Sequence, residues 1–170
     1  MAFRVQCVII FIFGLVFFAA DRILKFFFVH NPRISGDFIE GIFRMRFEKN
    51  YGLAFGFPPS EYNQKLQSIF IGLVIVMIAV LIYLAMRSYY RHMVLEIFSF
   101  LFVIIGAMSN LLDRFWYGYV IDYIDVPFFS LFNIADVMIS VGVIIVFVNE
   151  LLTLKRKRKN TGDDSSSLLS

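Results

Sequence analysis

The chain has 170 residues, 59% of them hydrophobic and 22 of them phenylalanine, with a mean hydropathy of +0.77. So much apolar surface cannot be hidden in one small soluble core, which excludes a soluble globular domain and indicates a polytopic membrane protein. Lys and Arg number 16 against 13 Asp and Glu, a net charge of +3, and the cationic run 155–159 reads as a membrane-surface or topology signal rather than a nucleic-acid patch.

Four segments are long enough to cross a bilayer, which takes about 20 residues. The first runs from Val5 to Phe28 and holds the single cysteine, Cys7, which rules out an internal disulfide and a thiolate metal cluster. Arg4 and Ala19-Ala20 give it some features of a cleaved signal peptide, but the apolar run resumes after Lys25 as Phe26-Phe27-Phe28-Val29, so a retained span is expected. Within it, Asp21 and Lys25 stand at i and i+4 on one helix face. A structural ion pair is expected there, with substrate or lipid head-group contact as the sharper alternative.

The loop from residue 31 to residue 65 is too long for a mere connection. Phe43-Arg-Met-Arg-Phe-Glu48 alternates apolar with charged, the period of a half-buried strand. Asn50-Tyr-Gly-Leu-Ala-Phe-Gly56 and Pro58-Pro59 follow, where Gly52 and Gly56 permit turns and Ala54 permits close approach. Together they predict a small amphipathic β-cradle lying on the outer membrane face.

The second span covers Leu66 to Met86 and the third Val94 to Leu112, joined by a short loop carrying Arg87 and Arg91. Asn110, Asp113 and Arg114 end the third span, with Asp113 and Arg114 expected to form a local ion pair or to fix neighbouring backbone. The fourth span runs from Phe132 to Leu152, and the basic, then Ser-rich segment 155–170 is expected to be a disordered tail after a transmembrane domain of residues 1–154. Four spans put both termini and the Arg87/Arg91 loop on one side. Cations are dense in the short loop and tail there, so that side is expected to be cytoplasmic.

The chemistry must lie among the few polar groups. His30 and His92 fall near opposite membrane faces and cannot share a metal, and no serine has a base adjacent in sequence. Asp122 and Asp136 remain, at the margins of apolar runs where an ionisable carboxyl is costly, and both near the outer ends of the third and fourth spans. Two carboxyls a few Å apart in a low dielectric cannot both ionise, so one holds a proton while the other takes one from water, as in aspartic proteases. The alternative is that each caps a helix or pairs with a cation. Asn133, three residues before Asp136, can cap the helix or hold a reacting group by its amide.

Four ordered blocks carry a resemblance: Asp21-Arg-Ile-Leu-Lys25, Asn50-Tyr-Gly-Leu-Ala-Phe55, Gly106-Ala-Met-Ser-Asn-Leu-Leu-Asp-Arg114 with Gly118-Tyr-Val-Ile-Asp122, and Phe132-Asn-Ile-Ala-Asp136. From Asp21 to about Gly142 the chain resembles the lipoprotein signal peptidase (signal peptidase II) family of intramembrane aspartic proteases. The resemblance implies an all-α membrane fold of four transmembrane helices with an external β-cradle and cytoplasmic termini, in a bacterial cytoplasmic (inner) membrane. It implies cleavage of a prolipoprotein signal peptide before a diacylglyceryl-modified Cys, with Asp122 and Asp136 as the catalytic pair. Asn50, Gly52, Gly106, Asn110, Arg114 and Asn133 match positions that line or support the family's site, and Asp21 and Lys25 match its structural or lipid-contacting block, beside which Asp113 is grouped. It also implies sensitivity to globomycin-type inhibitors. No cofactor or metal is expected, membrane lipids are expected partners, and a monomer is expected. Leu53 stands where the family more often has Ala, and Ser109 where it often has Gly, which bears on the tightness of the pocket around small substrate side chains.

Two other classes fit parts of the pattern. A small proton-coupled transporter would use Asp122 and Asp136 as a relay, although the chain shows neither an internal repeat nor interrupted spans. A membrane scaffold would explain the hydrophobicity and the basic tail, and would tolerate isosteric replacement of either aspartate.

Overall fold

The computed structural model describes residues 2–39, 42–52, 64–127, 129 and 131–167, with the side chains of residues 38, 64–66 and 156–167 left out of account. Leu53, Ala54, Phe55, Gly56 and the Pro58-Pro59 pair lie outside the described residues. The chain runs α1 (Ala2–His30), β1 (Ser35–Ile39), β2 (Phe43–Asn50), α2 (Gln64–Tyr90), α3 (Val94–Tyr117), β3 (Val120–Asp125) and α4 (Ile134–Ser167).

Each helix contains a stretch long and apolar enough to cross a membrane, so the four expected spans are present; α1 and α2 extend a few residues past both expected ends, α3 past its expected end, and α4 begins at Ile134 rather than Phe132. A polypeptide in hydrocarbon must satisfy its backbone internally, and helices do so without partners. Their outward faces present Val, Ile, Leu and Phe side chains such as Ile23, Phe26, Leu73, Val76, Ile144 and Phe147, all largely exposed and suited to lipid. Helix α3 is the exception: it packs against α1, α2 and α4 and carries most of the buried side chains of the bundle. The fourth helix continues through Ser167, across the segment expected to be disordered. Lys and Arg are good helix formers, so the helix can run on from the span.

Two glycines set the spacing of α3 and α4. A Cβ at Gly106 would stand 2.6 Å from the Ala135 carbonyl oxygen and 2.9 Å from Ile139, and one at Gly142 would stand 2.6 Å from the Ser99 carbonyl oxygen. Glycine therefore permits backbone contact between the two helices at both ends of their crossing.

The sheet is antiparallel, in the order β1-β2-β3. The expected strand at Phe43–Glu48 is β2, extended to Asn50. The third strand comes from the connection between α3 and α4, so the sheet is not built from the first loop alone, and its register sets Glu48 opposite Asp122 and Asn50 opposite Val120. Helix α3 stops at Gly118, which takes the left-handed conformation (φ 80°) and returns its N–H to the Arg114 carbonyl. The chain is thereby turned directly into β3. On the core side of β3, Ile121 and Tyr123 pack with Phe28 of α1, the Tyr123 and Phe28 rings lying 5.6 Å apart and nearly parallel.

Candidate active site

Period-two alternation along β3 buries Ile121 and Tyr123 against α1 and turns Asp122 the other way, toward Asn50 and Asn133. Asp122 is therefore carried by a strand and not by the end of the third span, as its place in the sequence suggests. Asp136 lies in the first turn of α4. Asn133 links the two. Its side-chain amide donates to Asp122 Oδ1 (2.8 Å), and its backbone N–H donates to Asp136 Oδ2 (3.2 Å). Asn50 donates to the other oxygen of Asp122 (2.9 Å), and Asn110 donates to the other oxygen of Asp136 (2.7 Å). All four carboxyl oxygens thus accept an N–H from a neutral donor.

The two carboxyls differ in exposure: Asp122 is 2% exposed, whereas Asp136 is only partly buried. Burial, and after it the charge of nearby Asp136, push Asp122 up to about 7, against which the Asn50 and Asn133 hydrogen bonds work. Arg114 lies over the Phe70 ring and donates to the Gly52 carbonyl (3.0 Å), while Gly52 N–H returns to Asn50 Oδ1 (2.8 Å). The turn after β2 is thus tied to α3 on one side and to the Asp122 donor on the other.

Beneath the carboxyls lies a second polar cluster. Lys25, fully buried, reaches Asp21 (2.9 Å), Asp113 (2.7 Å) and Asn110 Oδ1 (2.8 Å). The expected Asp21–Lys25 pair is present, deep in the protein and away from any lipid head group. Because Lys25 donates to the Asn110 oxygen, the amide of Asn110 is oriented with its NH2 toward Asp136. Asp113 is engaged by Lys25 and Arg22 rather than by its neighbour Arg114, and it accepts the Ile121 N–H, so it fixes backbone at the start of β3.

The candidate site residues named from the sequence fall in or beside this arrangement, in differing roles, apart from Leu53, which lies outside the described residues. Asn50, Gly52, Asn110, Arg114 and Asn133 surround the two aspartates; Asp21, Lys25 and Asp113 form the layer beneath; Gly106 acts at the α3–α4 contact. Ser109, read in sequence as bearing on the substrate pocket, instead donates to Asp21 Oδ2 (2.6 Å) inside the buried cluster. Sequence reasoning missed Tyr123 and Arg22. The run Val120-Ile-Asp-Tyr-Ile-Asp125 carries no period-two polarity, so no local signal points Tyr123 inward.

A chain of this architecture is known among solved structures: a bacterial membrane enzyme determined by the in meso method superposes with a TM-score of 0.74 over 89% of this chain and 90% of its own, at 22% identity. The likeness supports the four-helix, three-strand fold. Among curated proteins, a lipoprotein signal peptidase of Syntrophomonas wolfei is 37% identical over 142 residues, covering 82% of this chain and 91% of that protein. One from Bartonella henselae is 34% identical over 155 residues, covering 86% and 92%. The sequence model of signal peptidase (SPase) II matches residues 13–152. None of these comparisons supports the transporter alternative. The match spans all four helices and both aspartates, and it places the chain in the signal peptidase II family.

Proposed function

We propose that this chain is a membrane-embedded aspartic endopeptidase that removes signal peptides from prolipoproteins, cleaving before a diacylglyceryl-modified Cys, with Asp122 and Asp136 as its catalytic pair. The observation that carries the reading is Asn133, whose two N–H groups hold one oxygen of each carboxyl. Asp122, raised to about 7, is the member that holds a proton below that pH. It donates that proton to the scissile carbonyl oxygen while ionised Asp136, the more exposed of the two, takes one from the attacking water. Collapse of the tetrahedral intermediate returns a proton to the leaving amine and regenerates the pair.

A signal peptide in a bilayer is helical and internally hydrogen-bonded, so it must unwind before its carbonyl can be attacked. Asn50 and Arg114, bordering the carboxyls, supply replacement donors to the unwound backbone. The apolar helix faces hold the acyl chains of the modified Cys, at about 0.8 kcal/mol for each buried CH2. In this reading the protein is a monomer of the bacterial inner membrane, with both termini cytoplasmic and the sheet on the outer face. A globomycin-type inhibitor competes for the same carboxyls.

The test is cleavage of a diacylglyceryl-modified prolipoprotein by purified protein in detergent, comparing the parent with Asp122→Asn and Asp136→Asn at matched helicity. Each substitution is expected to lower kcat by about 1,000-fold or more. Parent-level cleavage by both variants excludes the dyad.

A further inference from the structure

The Tyr123 hydroxyl lies at the junction of the three elements that frame the site. Its O–H donates to Asp21 Oδ1 of α1 (2.8 Å), and its oxygen accepts the Ile134 N–H of α4 (3.2 Å). Tyr123 follows Asp122 on β3, and Ile134 precedes Asp136 by two residues on α4. One phenol thus connects the strand bearing one aspartate to the helix bearing the other, and both to a buried anchor. We propose that Tyr123 is a positioning residue for the dyad, its hydroxyl fixing the placement of Asp122 relative to Asp136 through Asp21. The proposal rests on the catalytic reading of the two aspartates.

Three observations carry it. First, the hydroxyl is fully used: Tyr123 is 0% exposed, its ring is stacked on Phe28, and its oxygen both donates and accepts. Second, the acceptor is itself immobile. Asp21 is 0% exposed and also takes hydrogen bonds from Lys25 and Ser109 and from the Ala135 N–H, so it is held from α1, α3 and α4 at once. Third, the Ile134 N–H belongs to the first turn of α4, where no intrahelical carbonyl is available to it, and the phenol oxygen takes that place. Burial, and then the Asp21 carboxylate, push the phenol well above its ordinary value, so it remains an O–H donor throughout the working pH range.

Tyr123→Phe preserves the ring and its stacking and removes these two bonds. Asp21 Oδ1 then keeps only the long Ala135 contact of 3.4 Å, and the Ile134 N–H loses its acceptor. Both aspartate-bearing segments thereby lose the hydrogen-bonded link to Asp21 that runs through the phenol, while the ring stacking and the Ala135 contact remain. A change in the distance between two interacting carboxyls alters how they share protons, which a role in folding alone does not do.

The experiment uses the full chain in detergent and compares parent with Tyr123→Phe in kcat, KM, the pH profile of kcat, thermal midpoint, and the carboxyl titration followed by infrared on 13C-aspartate-labelled protein. The expected result is a fall in kcat of about 5-fold with KM within about twofold, since the two bonds lost, one to the Asp21 carboxylate and one from the Ile134 N–H, lie away from substrate. The alkaline limb of the profile and the carboxyl titration move together by about half a pH unit. A variant whose profile and titration superimpose on the parent overturns the proposal, and so does one that cannot fold, because positioning requires a frame that survives loss of the hydroxyl. Failure of the catalytic reading is seen separately, as unimpaired cleavage by Asp122→Asn and Asp136→Asn. The substrate-free titration then still decides whether Tyr123 governs the separation of the carboxyls.

Discussion

Asn133 and Asp136 cap one another: the Asn133 N–H donates to Asp136 Oδ2 (3.2 Å) and the Asp136 N–H donates to Asn133 Oδ1 (2.9 Å). This is the reciprocal pattern of a capping box, in which the aspartate that caps the helix is also a member of the proposed dyad. The Asn133 NH2, left free by the cap, is aimed at Asp122. Asn133→Ser keeps a capping oxygen but loses the amide donor, whereas Asn133→Ala loses both. We expect Asn133→Ala to cost about 1 kcal/mol of stability, with little change in stability for Asn133→Ser. Both should lose about 100-fold in kcat. Stability by denaturation in detergent and cleavage rate, measured side by side, check this; an Asn133→Ser enzyme with parent activity contradicts it.

The pH dependence follows from Asp122, which lies on β3 outside the spans. Its carboxyl titrates near 7 in the folded protein against the ordinary 3.8, so folding takes up a proton between those values. Its contribution to stability is therefore fully present below about 3.8 and is lost as pH rises through about 7. Cleavage should fall about tenfold per pH unit on the alkaline side of that value as Asp122 loses the proton it donates. In Asp122→Asn, the decline in stability over this pH window should shrink. Thermal midpoints across the range, in parent and variant, are the check, and identical slopes would count against the assignment.

The glycine pair along α3 and α4 separates packing from chemistry. Gly106→Ala drives a methyl into the Ala135 carbonyl, one residue before Asp136, while Gly142→Ala does the same against Ser99 about two turns further along α4. Both should destabilise by about 1–3 kcal/mol. Only Gly106→Ala should also lower kcat of the folded fraction, by about 10-fold or more, since it displaces the helix start that carries Asp136. Equal kcat values per folded molecule would refute the distinction.

Lys25 pairs with Asp21 and shares Asp113 with Arg22, so Lys25→Met leaves Asp21 buried without a cation and should destabilise by about 3–5 kcal/mol. Adding Asp21→Asn to Lys25→Met removes the carboxylate that loses its cation, Asp113 still being paired with Arg22, and should recover part of the loss. A double variant less stable than Lys25→Met alone would show that the pair is not the source of the cost. This is a stability experiment, read by denaturation without substrate.

Much of this arrangement is legible in the residues, and the part that is not has a physical reason. The spans announce themselves by length, and β2 by the alternation of Phe43, Met45 and Phe47 with charged neighbours. Asp21 and Lys25 read as a pair because i and i+4 share a helix face. Strand β3 is hidden, because six mostly apolar residues between two spans look like the frayed margin of a helix. Recognising it requires the partner strand, which lies about 75 residues earlier and is brought alongside only by tertiary folding. The roles of Ser109 and Tyr123 were illegible for the same reason. Both act through Asp21, 88 and 102 positions away.

The order of strands in the sheet has a consequence for biogenesis. Because β1 and β2 precede the second span and β3 follows the third, the hairpin is synthesised before the strand that completes the sheet. Until then the β2 edge stands open, and Asn50 has no carboxyl to meet. Asp136 arrives later still, with the last helix. On the proposed catalytic reading, both carboxyls come together only with the last helix, so activity would await its insertion.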